Sequence, residues 1–149
     1  MEGVFQERAA APSESAALKH ISYGALQRQK LDVYLPRDRK PRAVIVFFHG
    51  GGWTAGNKRI YPPLAAALTG RGYAMVAPNY RLFPTGRFPD FMEDAALAIK
   101  WVEDNRAVFA GAPIFLMGHS AGAHISSLLA LDPRYLRVHG IDPAHIRGI

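Results

Sequence analysis

Three stretches of this chain are apolar without alternation: AVIVFF at 43–48, YAMVAP at 73–78 and PIFLMG at 113–118. A strand with one wet face alternates apolar and polar residues, whereas a strand covered on both faces has no reason to. Between these runs lie segments with helical spacing. YPPLAAALTGRG places proline near a first turn and glycine at its end. In FPDFMEDAALAIKWVEDNRAVFA, Phe91, Ala95, Ala98, Ile99 and Val102 recur at helical intervals, and acidic residues crowd the first turns. AGAHISSLLAL reads as a third helix. Strand and helix in alternation predict an α/β fold with a mainly parallel sheet and helices on both faces.

The N-terminal part differs. In HISYGALQRQKLDVYLP, Ile21 and Tyr23, then Leu31, Val33 and Leu35, keep a period of two. This predicts an antiparallel hairpin of half-buried strands, turning between Gly24 and Gln29. Residues 1–18 form an arm without a clear pattern, and 19–149 form one domain. Near the end, Asp142 and Pro143 mark a further helical turn, and IRGI opens another strand.

The chain has no cysteine, which leaves neither disulfides nor thiolate metal sites. Its net charge of +6 is scattered rather than gathered with aromatic residues, a pattern that does not suit nucleic-acid binding. The first residues lack the basic and apolar regions of a secretory signal, and no run is long enough to cross a bilayer. The expectation is a cytoplasmic chain without metal or cofactor, its histidines being dispersed without ligand spacing.

Two motifs carry chemistry. Gly118-His119-Ser120-Ala121-Gly122 lies between a strand run and a helix run, the setting of a nucleophile elbow. There a strained turn projects the serine hydroxyl, and glycines at both flanks let strand and helix close together. The other reading is a plain turn with a capping serine. His49-Gly50-Gly51-Gly52-Trp53 directly follows the first buried strand. Consecutive glycines there could bring bare amides to an oxyanion, or could simply make a flexible turn.

Together with ISYG, LDVYLP, PNYRL and FPDFMEDAALAIKWV, these motifs resemble the α/β-hydrolase superfamily. The likeness is to its HGGG-bearing carboxylesterases, the feruloyl-esterase-like group and kynurenine formamidase-like enzymes. The resemblance implies a carboxylic ester hydrolase working through an acyl-enzyme on a small-molecule ester, with a formamide as the alternative substrate. A catalytically silent domain of the same frame is the rival from another class. The resemblance also implies Ser120 as nucleophile, and Gly51, Gly52 and Ala121 as the oxyanion hole. His49 then matches the loop-anchoring histidine, Gly50, Gly118 and Gly122 support the site, and Trp53 packs beside the acyl pocket.

A serine needs a histidine base and a carboxylate to orient it, and in this superfamily both follow the serine. Residues 121–149 offer His124, His139 and His145 with Asp132 and Asp142. His124 is expected to pack along a buried helix face, and the other two lie in a loop before the next strand. His119 and His20 are expected to point elsewhere, and Arg81 to pair with Asp94. The chain therefore reads as the N-terminal portion of such a domain, ending before the triad acid and histidine. Its sheet edge beside PIFLMG is expected to be open and to drive self-association.

Overall fold

The computed structural model describes residues 16–149, so 1–15 of the expected arm lie outside the described residues. Its last three residues do not belong to an arm. Ala16 already opens strand β1 (Ala16–Ser22), which pairs antiparallel with β2 (Lys30–Leu35). The hairpin then lies antiparallel against β4 (Ala74–Pro78). Strand β3 (Val44–Phe48) pairs parallel with both β4 and β5 (Ile114–Gly118). The sheet runs β1-β2-β4-β3-β5. It is mixed: three parallel strands carry an antiparallel hairpin on one side.

Helices cover both faces. α1 (Pro62–Gly70) lies on one, where Ala65, Leu64 and Leu68 pack with Tyr34, Phe47, Met75 and Ala77. α2 (Asp90–Asp104) and α3 (Ala121–Leu131) lie on the other, against Val33, Val44, Val46, Phe48, Val76, Ile114 and Leu116. Alternate residues of β3 thus enter different cores, which is why the run 43–48 shows no polar position. The stripe expected on α2 is the buried one: Phe91, Ala95, Ala98, Ile99 and Val102 all face the sheet.

Three features depart from the expected pattern. β2 is buried at Leu31, Asp32, Val33 and Tyr34, rather than half-buried, because it is an interior strand and its one carboxylate has a buried partner. A short helix, α4 (Arg134–Arg137), occupies the loop after α3. The edge of β5 is not wholly open. Ile146 bridges Ile114 in parallel, Arg147 N–H donates to Ile114 C=O (2.8 Å), and Leu116 N–H donates to Gly148 C=O (3.0 Å). Residues 146–148 therefore run alongside β5 as the start of a neighbouring strand. A single 3-10 turn, Pro143–His145, precedes them, its first N–H capped by Asp142.

Candidate active site

The strand-to-helix corner after β5 holds Ser120 at φ 54° and ψ −117°, a conformation that costs a non-glycine residue on the order of 1–3 kcal/mol. Such strain persists only where the surroundings over-determine it, and here they do. A methyl group on Gly118 would stand 2.1 Å from Gly122 C=O, and one on Gly122 would stand 1.9 Å from Phe48 C=O. The corner is thus pressed between its own helix and the exit of β3. Ser120 is exposed, and among the described residues no side chain hydrogen-bonds its Oγ. Ala121 is the first residue of α3, where an N–H has no acceptor within the helix.

The glycine loop after β3 faces this corner. A Cβ on Gly50 would lie 3.3 Å from Ser120 Cβ and 2.9 Å from His119 C=O, so loop and corner touch at backbone distance. The loop then turns away through Gly51 (φ 131°) and Gly52 (φ 59°), both exposed. Thr54 and Ala55 N–H close it by donating to Gly51 C=O at 3.1 and 2.9 Å. Gly51 is sterically obligatory, since a Cβ there would stand 2.2 Å from Ala55 C=O, whereas one on Gly52 meets nothing within 4 Å.

His49, 1 % exposed, sits at the loop's root with Nδ1 2.8 Å from Gly50 C=O, which makes Nδ1 the protonated nitrogen. Its ring stacks on Tyr80 at 4.4 Å, and Nε2 is buried without a partner among the described residues. Burial, opposed by the Gly50 carbonyl and assisted by the charge of Arg28, holds its pKa down to about 4. His49 is therefore neutral near pH 7. Trp53, at φ 59°, is half-buried, stacked on Phe91 at 6.2 Å, with Nε1 unpartnered among the described residues.

Residues beyond both motifs fix the loop. Tyr80 O–H donates to His49 C=O (2.6 Å), Phe83 N–H donates to Trp53 C=O (2.7 Å), and Lys58 N–H donates to Asn79 Oδ1 (2.8 Å). Lys58 Nζ, 2 % exposed, donates to the buried Asp32 carboxylate at 2.6 Å. Burial alone would raise the Asp32 carboxyl, but hydrogen bonds from Lys58 and from the His20 N–H, with the charges of Lys58 and Lys19, hold it below the ordinary range. Sequence reasoning missed this pair. The available signal was a lone carboxylate inside LDVYL, since a charge in an interior strand demands a counter-ion. Arg81 does pair with Asp94: its N–H, Nε and Nη2 donate to that buried carboxylate at 2.8–3.1 Å.

The histidines scatter. His124 is exposed and lies in a T-shaped contact with Trp53, ring centroids 5.5 Å apart, correcting the expected packed position. The buried stripe of α3 is Ala121, Gly122, Ile125, Ser126 and Leu129, and residue 124 falls one position off it. His139 lines a groove of about 290 Å³ with Glu93, Arg134, Tyr135 and Val138. His145 Nδ1 lies 3.2 Å from Glu103, near the end of α2 and hence at the opposite end of the sheet from Ser120. His119 and His20 are exposed. Asp132 pairs with Arg134, and Asp142 caps its own turn. Among the described residues, no cluster of three or more histidines and carboxylates could hold a metal ion.

The BD-FAE family model matches residues 31–140, which include both the glycine loop and the serine corner. The chain belongs to the BD-FAE family. It is 39 % identical over 118 residues to a probable isoprenylcysteine alpha-carbonyl methylesterase of Oryza sativa subsp. japonica, covering 77 % of this chain and 28 % of that relative. It is 36 % identical over 116 residues to the carboxylesterase NlhH of Mycobacterium tuberculosis, covering 74 % and 36 %. An esterase of Pyrobaculum calidifontis superposes over 87 % of this chain and 41 % of its own, with a TM-score of 0.67 and 29 % identity. These relatives place the fold among the α/β-hydrolase esterases. The chain spans 28 % and 36 % of the two curated relatives' lengths.

Proposed function

We propose that this chain carries the nucleophile and the oxyanion-binding half of a serine carboxylic ester hydrolase. The observation that carries the reading is the contact of the strained serine corner with the glycine loop. Ser120 sits at φ 54° on its corner, and Gly50 presses that corner at backbone distance, which supports the Gly51–Gly52 amides as donors beside the serine. In acylation, Ser120 Oγ attacks the ester carbonyl carbon, and the developing oxyanion receives N–H bonds from the Gly51–Gly52 segment and Ala121. Preorganised donors of this kind lower such barriers by roughly 3–4 kcal/mol each. The C–O ester bond then breaks, and the alcohol departs with the serine's proton. Water later releases the acid. The base that relays the proton comes, on this reading, from a histidine and carboxylate outside residues 16–149.

The methylesterase and carboxylesterase names of the relatives support a small-molecule ester as substrate. A cytoplasmic setting, and association of copies through the partly paired β5 edge, belong to the same reading. Sedimentation velocity across a concentration series tests the latter. The central test is reaction with an alkyl fluorophosphonate. An Oγ–P bond forms, the P–F bond breaks, and fluoride and the serine proton pass to solvent. We expect slow stoichiometric labelling that vanishes in Ser120→Ala. Absence of labelling in the folded parent chain would favour a catalytically silent domain.

A further inference from the structure

Arg28 lies in the hairpin turn, remote in sequence from both motifs, yet its guanidinium is spent on the backbone around the glycine loop. Nε donates to Tyr80 C=O at 2.7 Å, and Nη2 donates to Gly56 C=O at 3.1 Å. Gly56 is where the loop closes on itself: a Cβ there would stand 2.1 Å from Gly50 C=O and 2.4 Å from His49 Nδ1. Tyr80 in turn donates to His49 C=O and stacks on its ring. Arg28, Tyr80, His49 and Gly56 thus form a closed ring of contacts at the root of the loop. Among the described residues Arg28 has no carboxylate partner, so its two carbonyl acceptors are what hold a half-buried cation in place.

We propose that Arg28 is a positioning residue for the oxyanion hole, its planar fork fixing the root of the glycine loop against the exit of β4. This rests on the reading of Ser120 and the loop as an ester-hydrolase half-site. A lysine keeps the charge but not the fork, so it cannot hold two carbonyls in fixed relation. The burial that lowers the Arg28 pKa agrees with a cation enclosed by protein.

The test uses the full chain and an alkyl fluorophosphonate, comparing the parent, Arg28→Lys, Arg28→Met and Arg28→Ala. Misplacing reacting groups by a fraction of an ångström to an ångström costs up to about a hundredfold. We expect labelling rates at least about tenfold below the parent in all three variants, with thermal midpoints near the parent's. Ethylguanidinium should restore part of the rate to Arg28→Ala, which a merely structural residue would not show. A folded Arg28→Lys that labels at the parent's rate overturns the proposal and leaves the reading of Ser120 intact. A folded parent chain that does not label overturns both. Unfolding of every variant overturns the proposal too, by making Arg28 a residue of the fold alone.

Discussion

A methyl group added at Gly122 should damage the fold far more than one added at Gly52, although both glycines belong to the two motifs of the candidate site. At Gly122 the new Cβ would be 1.9 Å from Phe48 C=O and 2.7 Å from His49 C=O. Cβ atoms keep about 3.0 Å or more, so α3 must retreat from β3 by roughly 1 Å. Both colliding partners are backbone, and no rotamer relieves them. The retreat loosens Ile125 and Leu129, each fully buried on the sheet. Overpacking costs about 1–3 kcal/mol, and the gap opened behind it brings the expected loss to about 3 kcal/mol. At Gly52 the Cβ meets nothing within 4 Å, and the cost is the left-handed conformation at φ 59°, about 1 kcal/mol. Urea unfolding followed by the fluorescence of Trp53 and Trp101 reads the difference of about 2 kcal/mol, since one urea transition falls by about 1–3 kcal/mol per molar. Equal midpoints for the two variants, or a lower one for Gly52→Ala, would refute the packing argument.

Protonation of His49 gives a second expectation. Its folded pKa lies below its unfolded value, so the unfolded chain binds more protons between pH 6.5 and about 4, and stability falls as pH drops through that window. The change is on the order of 3 kcal/mol, and His49→Phe should flatten it in unfolding curves taken from pH 7 to 4. Asp32 is also depressed, so its contribution is complete above the unfolded carboxylate pKa and lost as pH falls through the folded one. The stability gap between the parent and Asp32→Asn should accordingly be constant above about pH 4 and narrow below it. Arg81→Met removes the counter-ion of the fully buried Asp94 carboxylate, leaving it the Gln29 amide and a backbone N–H, and guanidinium titration should show a loss of about 3 kcal/mol.

What could be read from the sequence was what is local. The apolar runs gave β3, β4 and β5 because each strand carries its own burial pattern, and the 91-95-98-99-102 spacing gave the inner face of α2 for the same reason. The serine corner and glycine loop were legible because tight turns impose residue types at fixed offsets. Partners remote in sequence were not. The burial of Asp32 depends on Lys58, 26 positions away, and the loop's root depends on Arg28, 28 positions before Gly56. Nothing in LDVYL names its counter-ion, and nothing in GALQRQ announces that a turn arginine reaches two carbonyls. His124 misled because its helix is rich in small and apolar residues, and its inner face follows the tight contact at Gly122 rather than an amphipathic contrast. The β5 edge misled because the bonds of 146–148 depend on a chain path that the polar loop before them does not reveal.

The account stands on the serine hydroxyl facing the amides of the glycine loop. A crystal structure of the chain after reaction with an alkyl fluorophosphonate tests this most directly. The predicted result is phosphorus bonded to Ser120 Oγ, with one phosphonyl oxygen within hydrogen-bond distance of an N–H from the Gly51–Gly52 segment and of the Ala121 N–H. An adduct whose phosphonyl oxygens all point to solvent, away from those amides, would contradict it.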